Sequence, residues 1–86
     1  MLTKELVVRN KTGLHARPAT DLVNLCKRFV STVKITAGEA EINPKSIISI
    51  LSGGVFTGTR ITVTAEGVDE EAAIREITYL IENLAD

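Results

Sequence analysis

The amino-acid sequence predicts an α+β fold: a two-layer, open-faced sandwich in the order β-α-β-β-α-β-α, with an antiparallel sheet covered on one face by three helices. Three observations point there. Four segments alternate apolar with polar residues, as strands with one buried face do. Two longer segments repeat apolar residues at three- and four-residue spacing, as amphipathic helices do. The alternation also argues against an all-parallel sheet, whose strands are buried on both faces and read as continuous apolar runs.

The first strand runs from Leu2 to Arg9, where Leu6 and Val8 alternate with Glu5 and Arg9, Val7 being the exception; Asn10 to Gly13 ends it. Ala19, Leu22, Val23, Cys26 and Val30 then recur at helical spacing, predicting a helix from about Ala16 to Arg28 whose Lys27 and Arg28 suit the negative end of its dipole. Val33 and Ile35 alternate with Thr32, Lys34 and Thr36, and Ala40 and Ile42 with Glu39, Glu41 and Asn43; Gly38 between them makes a hairpin. Pro44 has no amide to give a ladder and marks the exit, after which Ser46 to Ser52 forms a short helix closed by Gly53 and Gly54. In the fourth strand Ile61, Val63 and Ala65 alternate with Arg60, Thr62, Thr64 and Glu66, and Gly67 ends it. Asp69 is expected to cap the last helix, with Glu70 and Glu71 complementing its positive end and Ala73, Ile74, Ile77, Leu80, Ile81 and Leu84 facing inward.

Composition bounds the function. A chain of 86 residues suits one domain, expected over 1–86, and 44% hydrophobic residues suffice for a packed core. Ten Lys and Arg against eleven Asp and Glu leave no positive excess to neutralise nucleic-acid phosphates, so direct nucleic-acid binding is not expected and a protein partner is. Aromatic residues, at 3%, make no stacking platform for single strands. Cys26 is alone and there is one histidine, which argues against a disulfide or a zinc site; no metal or cofactor is expected. No apolar run approaches the ~20 residues of a membrane span, and Met1 to Glu5 has no signal-peptide core, so the expected location is cytoplasmic, without membrane insertion.

The one histidine lies in Thr12-Gly13-Leu14-His15-Ala16-Arg17-Pro18-Ala19, just before the apolar period of the first helix begins. Pro18 falls in the first turn, where its missing N–H would have no partner anyway, which puts the N-cap near His15. A helix N-terminus combines free amides with roughly half a positive charge and so attracts phosphate. That field favours a neutral, nucleophilic imidazole, and the amides of Ala16 and Arg17 together with the Arg17 guanidinium can hold phosphoryl oxygens. Gly13 permits positive φ and a close approach. Spacing alone favours the plainer reading, a histidine that simply caps the helix or fills a surface gap.

The segment Gly13-Leu14-His15-Ala16-Arg17-Pro18-Ala19 resembles the phosphorylation motif of the HPr family, the histidine-containing phosphocarriers of the bacterial sugar phosphotransferase system. The resemblance extends to Lys45-Ser46-Ile47, to Gly54 and Gly58, and to Gly67-Val68-Asp69-Glu70-Glu71. It implies a strand order of 1-4-2-3. It implies a carrier, not an independent enzyme, in which Enzyme I, charged by phosphoenolpyruvate, phosphorylates Nδ1 of His15, and His15 donates to IIA domains of sugar transporters. Arg17 carries over as the phosphate-stabilising residue. Thr12 matches a small hydroxyl near the phosphate, a plain turn hydroxyl being the equal alternative. A second reading is a regulatory HPr-like protein that binds a transcriptional regulator and does not serve sugar transport; such homologues can lack the histidine, which this chain keeps.

Ser46 stands where a hydroxyl can cap the short helix. Similarity to HPr proteins of Gram-positive type implies phosphorylation there by a dedicated serine kinase/phosphorylase and recognition by a catabolite-control transcriptional regulator. Ile47, Ile48, Ile50 and Leu51 point to every side of a helix too short to bury them all; in the family the positions of Ile47, Ile48 and Leu51 meet Enzyme I and IIA domains. Pro44, Ile48, Ser49 and Gly53 depart from the usual Gram-positive pattern around that serine.

Overall fold

The computed structural model describes residues 1–85. Its elements are β1 (Leu2–Val7), α1 (Ala16–Cys26), β2 (Thr32–Ala37), β3 (Ala40–Ile42), α2 (Ile47–Ser52), β4 (Arg60–Glu66) and α3 (Glu70–Glu82). The strands form one antiparallel sheet in the order β1-β4-β2-β3, so the last strand in sequence lies at the centre. Its registers place Leu6 opposite Ile61 and Ile35 opposite Val63. Because side chains alternate across a strand, this puts Leu6, Val33, Ile35, Ile61, Val63 and Ala65 in the core, while Thr3, Lys34 and Glu66 are exposed. Leu22, Cys26, Ile50, Ala73, Ile77 and Ile81 close the core from the helical layer. Each fully buried aliphatic of this kind contributes about 1.5–3 kcal/mol relative to exposure. Among the described residues no helix is long and apolar enough to cross a membrane.

Three local expectations are corrected. The first helix stops at Cys26, because Arg28 and Phe29 turn their amides back to the carbonyls of Leu25 and Cys26 in a tighter closing turn. Val30, though in step with the apolar stripe, therefore falls beyond the helix and is 76% exposed. Asp69 occupies the N-cap position of α3 but makes no capping bond. Its carboxylate reaches across the chain to the amides of Val30 at 2.9 Å and Ser31 at 3.0 Å, and accepts from the Ser31 hydroxyl. Those bonds hold its carboxyl below the ordinary aspartate range, the serine hydroxyl contributing most.

Candidate functional site

The segment between β1 and α1 is built around its own backbone. The Asn10 side chain donates to the Gly13 carbonyl at 2.9 Å and to the Thr12 hydroxyl at 3.4 Å, folding 10–13 into a turn. The Leu14 amide then donates to the Val55 carbonyl at 3.1 Å, fastening the turn to the segment after α2. Gly13 is required here: its φ is +65, and a Cβ would lie 2.4 Å from the Val55 oxygen.

Leu14 is buried, and so is Pro18 in the first turn of α1, so the chain is anchored on both sides of His15, Ala16 and Arg17. To arch between these anchors Ala16 adopts φ +53, the one positive-φ residue other than glycine among those described. The left-handed conformation costs an L-residue roughly 1–2 kcal/mol. His15 is the N-cap, in extended backbone, and its side chain makes no capping bond. The first-turn amides of Ala16 and Arg17 have no carbonyl earlier in the helix to accept them.

The imidazole is half-buried and stacks on Phe56, with centroids 5.2 Å apart and planes inclined by 27°. Its Nε2 is buried without a hydrogen-bond partner. Arg17, 87% exposed, extends along the helix to Asp21 at 4.0 Å. His15, Ala16 and Arg17 are thus consecutive at the start of α1, Thr12 lies in the turn before them, and the Arg17 guanidinium points at a carboxylate one helical turn on. Cys26 offers no competing nucleophile, since burial pushes its thiol up to about 12.

At α2, Ser46 is the N-cap, and its hydroxyl accepts from the Ser49 amide at 3.3 Å. The neighbouring Lys45 ammonium is engaged with the carbonyls of Phe29 at 2.8 Å and Ser31 at 2.9 Å. Ile50 is buried, while Ile47, Ile48 and Leu51 are exposed, Ile48 at 73%. Three of the four departures around Ser46 have local roles, Ile48 being exposed and without one. The Ser49 hydroxyl accepts from the Asn43 amide at 2.8 Å, Pro44 is buried, and Gly53 leaves the space that Ile42 fills, a Cβ there meeting the Ile42 Cδ1 at 2.3 Å.

Two participants were missed in the sequence. Phe56 carried no periodic signal, though it stands between Gly54 and Gly58, at φ +69 and +88, which mark a tight loop. Asp21 is four residues after Arg17, the ordinary spacing of a helical ion pair.

The family profile described as the PTS HPr component phosphorylation site matches residues 2–83. The chain is 38% identical over 82 residues to the HPr-like protein Crh of Bacillus subtilis, covering 95% of this chain and 96% of that one. It is 39% identical over 83 residues to the phosphocarrier protein HPr of Xylella fastidiosa, with 96% and 93% covered. The crystal structure of HPr-C-His from Thermoanaerobacter tengcongensis superposes with a TM-score of 0.93 at 41% identity, over 95% of this chain and 92% of that one.

Proposed function

This chain belongs to the HPr family of phosphocarriers, and on that premise we propose that it accepts a phosphoryl group on Nδ1 of His15 from Enzyme I and donates it to IIA domains of sugar transporters in the cytoplasm. The observation that carries this reading is the start of α1: a histidine with one nitrogen buried stands at a helix N-terminus whose first amides have no internal partner. With Nε2 closed off, Nδ1 is the nitrogen left to attack. The phosphoryl oxygens then meet the amides of Ala16 and Arg17 and the positive end of the helix dipole.

Arg17 joins them by leaving Asp21. An exposed pair of that kind is worth about 0.2–1 kcal/mol, whereas hydrogen bonds to a charged group are worth about 1.5–3 kcal/mol, so the exchange is favourable. Thr12, in the turn that precedes His15, would add a hydroxyl. None of this amounts to an independent catalyst: the chain supplies an acceptor and a cradle, and the partner supplies the donor.

Ile47, Ile48 and Leu51 form the exposed apolar set for docking Enzyme I and IIA domains, and Ser46, the N-cap of the same helix, is the regulatory serine. The similarity to Crh supports a second reading, a regulatory protein that binds a transcriptional regulator. Incubation with Enzyme I and phosphoenolpyruvate, followed by mass spectrometry, separates the two. Phosphate on His15 that passes onward to a IIA domain supports the relay; a chain that stays unmodified refutes it.

A further inference from the structure

The relay as described leaves Phe56 without a role, yet its ring stacks on the imidazole. The contact is held through the backbone. The Phe56 amide donates to the Thr59 hydroxyl at 3.0 Å and its carbonyl accepts from the Thr59 amide at 3.1 Å. The preceding residue, Val55, takes the Leu14 amide, and a Cβ on Gly13 would lie 2.7 Å from the Phe56 Cα. The loop that carries Phe56 and the turn that carries His15 are therefore one unit. The ring is 58% exposed, so its packing is against the imidazole and not in the core.

A histidine that must present one nitrogen usually has its orientation set by a hydrogen bond on the other. In this chain Nε2 is buried and has no such partner among the described residues. The stacked ring stands in its place, 5.2 Å away.

We propose that Phe56 is a positioning residue for phosphoryl transfer: by stacking on His15 it keeps Nε2 turned into the protein, confines acceptance to Nδ1, and stabilises the ring once it is charged. This rests on the reading of His15 as the phosphoryl acceptor. As the Nδ1 lone pair forms the N–P bond, the donor's own bond to phosphorus breaks and its electron pair leaves with the donor. The proton stays on Nε2, and the imidazole becomes a cation. A cation within about 6 Å of an aromatic centroid is attracted by the ring's negative face, so Phe56 favours the phosphorylated ring over the free one.

The test uses two donors, potassium phosphoramidate, which needs no partner protein, and Enzyme I with phosphoenolpyruvate. Phosphorus and nitrogen NMR distinguish Nδ1 from Nε2 phosphohistidine. In the unsubstituted chain both donors give the Nδ1 isomer. In Phe56→Ala the Nε2 share formed by phosphoramidate rises several-fold, and transfer from Enzyme I slows by about two- to five-fold. Phe56→Tyr restores both, and Phe56→Leu, which keeps volume without a π face, restores neither fully. An unchanged isomer ratio with unchanged transfer rates in Phe56→Ala overturns the proposal. If that variant does not fold, identical ratios and rates in Phe56→Leu and Phe56→Tyr overturn it instead. Failure of Enzyme I to phosphorylate the unsubstituted chain would defeat the relay, while the phosphoramidate arm would still decide the role of Phe56.

Discussion

Helices α1 and α2 both begin on an N-cap in extended backbone, His15 at φ −128 and Ser46 at φ −124, and they treat that residue in opposite ways. Ser46 is satisfied from within: its hydroxyl holds the Ser49 amide, while Ser49 in turn holds the Asn43 amide. His15 holds nothing, its Nε2 has no partner, and the next residue sits at φ +53. Groups left unpaired and backbone left strained persist only where the surroundings enforce them, and such places concentrate at functional sites. One start is thus closed by its own side chains, while the other leaves its N-cap side chain without a capping bond, as the proposed phosphoryl acceptor requires. Substitutions should separate function from stability differently at the two.

The largest effect is expected at His15. His15→Ala should abolish phosphate acceptance while changing stability by no more than about 0.5 kcal/mol, because the side chain makes no hydrogen bond that the fold uses. Mass spectrometry after incubation with Enzyme I reads the first and a thermal melt the second. A large drop in melting temperature would make His15 a structural cap after all and erase the contrast with Ser46. Arg17→Ala should slow transfer by about ten- to a hundred-fold, the equivalent of one charge-assisted contact of roughly 1.5–3 kcal/mol. Its melt should hardly move, since only an exposed pair to Asp21 is lost. Rapid-quench transfer rates equal to those of the unsubstituted chain would remove Arg17 from the phosphate cradle.

The same contrast explains what was legible beforehand. Period-two alternation identified all four strands and the face each one buries, but it says nothing about neighbours, so the central place of β4 came only from family resemblance. Pro18 and the onset of the apolar stripe located the start of α1 at His15, as found. What escaped are contacts between residues far apart in the chain. Asp69 has ordinary capping chemistry for α3, yet it binds Val30 and Ser31, 39 and 38 positions away, where three donors outcompete one helix amide. Val30 fits the helical period but lies past the closing turn. Phe56 reaches His15 only because Gly13 lets two loops touch.

Asp69 also supplies a third helix start against which to measure the other two. Its carboxyl is held below the ordinary value of 3.8, so its bonds contribute fully above that pH and are lost as the pH falls through the lower, folded value. Asp69→Asn should therefore lower the melting temperature near neutral pH and flatten its fall in acid, as the loop between α1 and β2 loses its clamp. Melts from pH 7 down to about 2 check this. Parallel curves for the two proteins would mean that the Asp69 bonds do not contribute, leaving the hydrogen-bonded start of α2 without a titratable counterpart.

The smallest effects belong to Ser46, where stability and docking should move apart. Ser46→Ala removes the acceptor for the Ser49 amide and should cost about 1 kcal/mol. Ser46→Asp keeps an acceptor and places a negative charge at the positive end of α2, so it should be as stable as serine or gain about 0.3–1 kcal/mol. Any loss of Enzyme I affinity in that variant must then arise at the docking surface. The carboxylate would border Ile47, Ile48 and Leu51, all exposed, and Lys45 is already committed to the carbonyls of Phe29 and Ser31 and cannot readily neutralise it. Docking would desolvate that charge beside an apolar patch, and an acidic partner would add repulsion that salt screens. Titrating Enzyme I against both proteins at low and high ionic strength should show weaker binding of Ser46→Asp that salt partly restores. Equal affinities at both salts would make Ser46 a helix cap and nothing more, completing the opposition between the two helix starts.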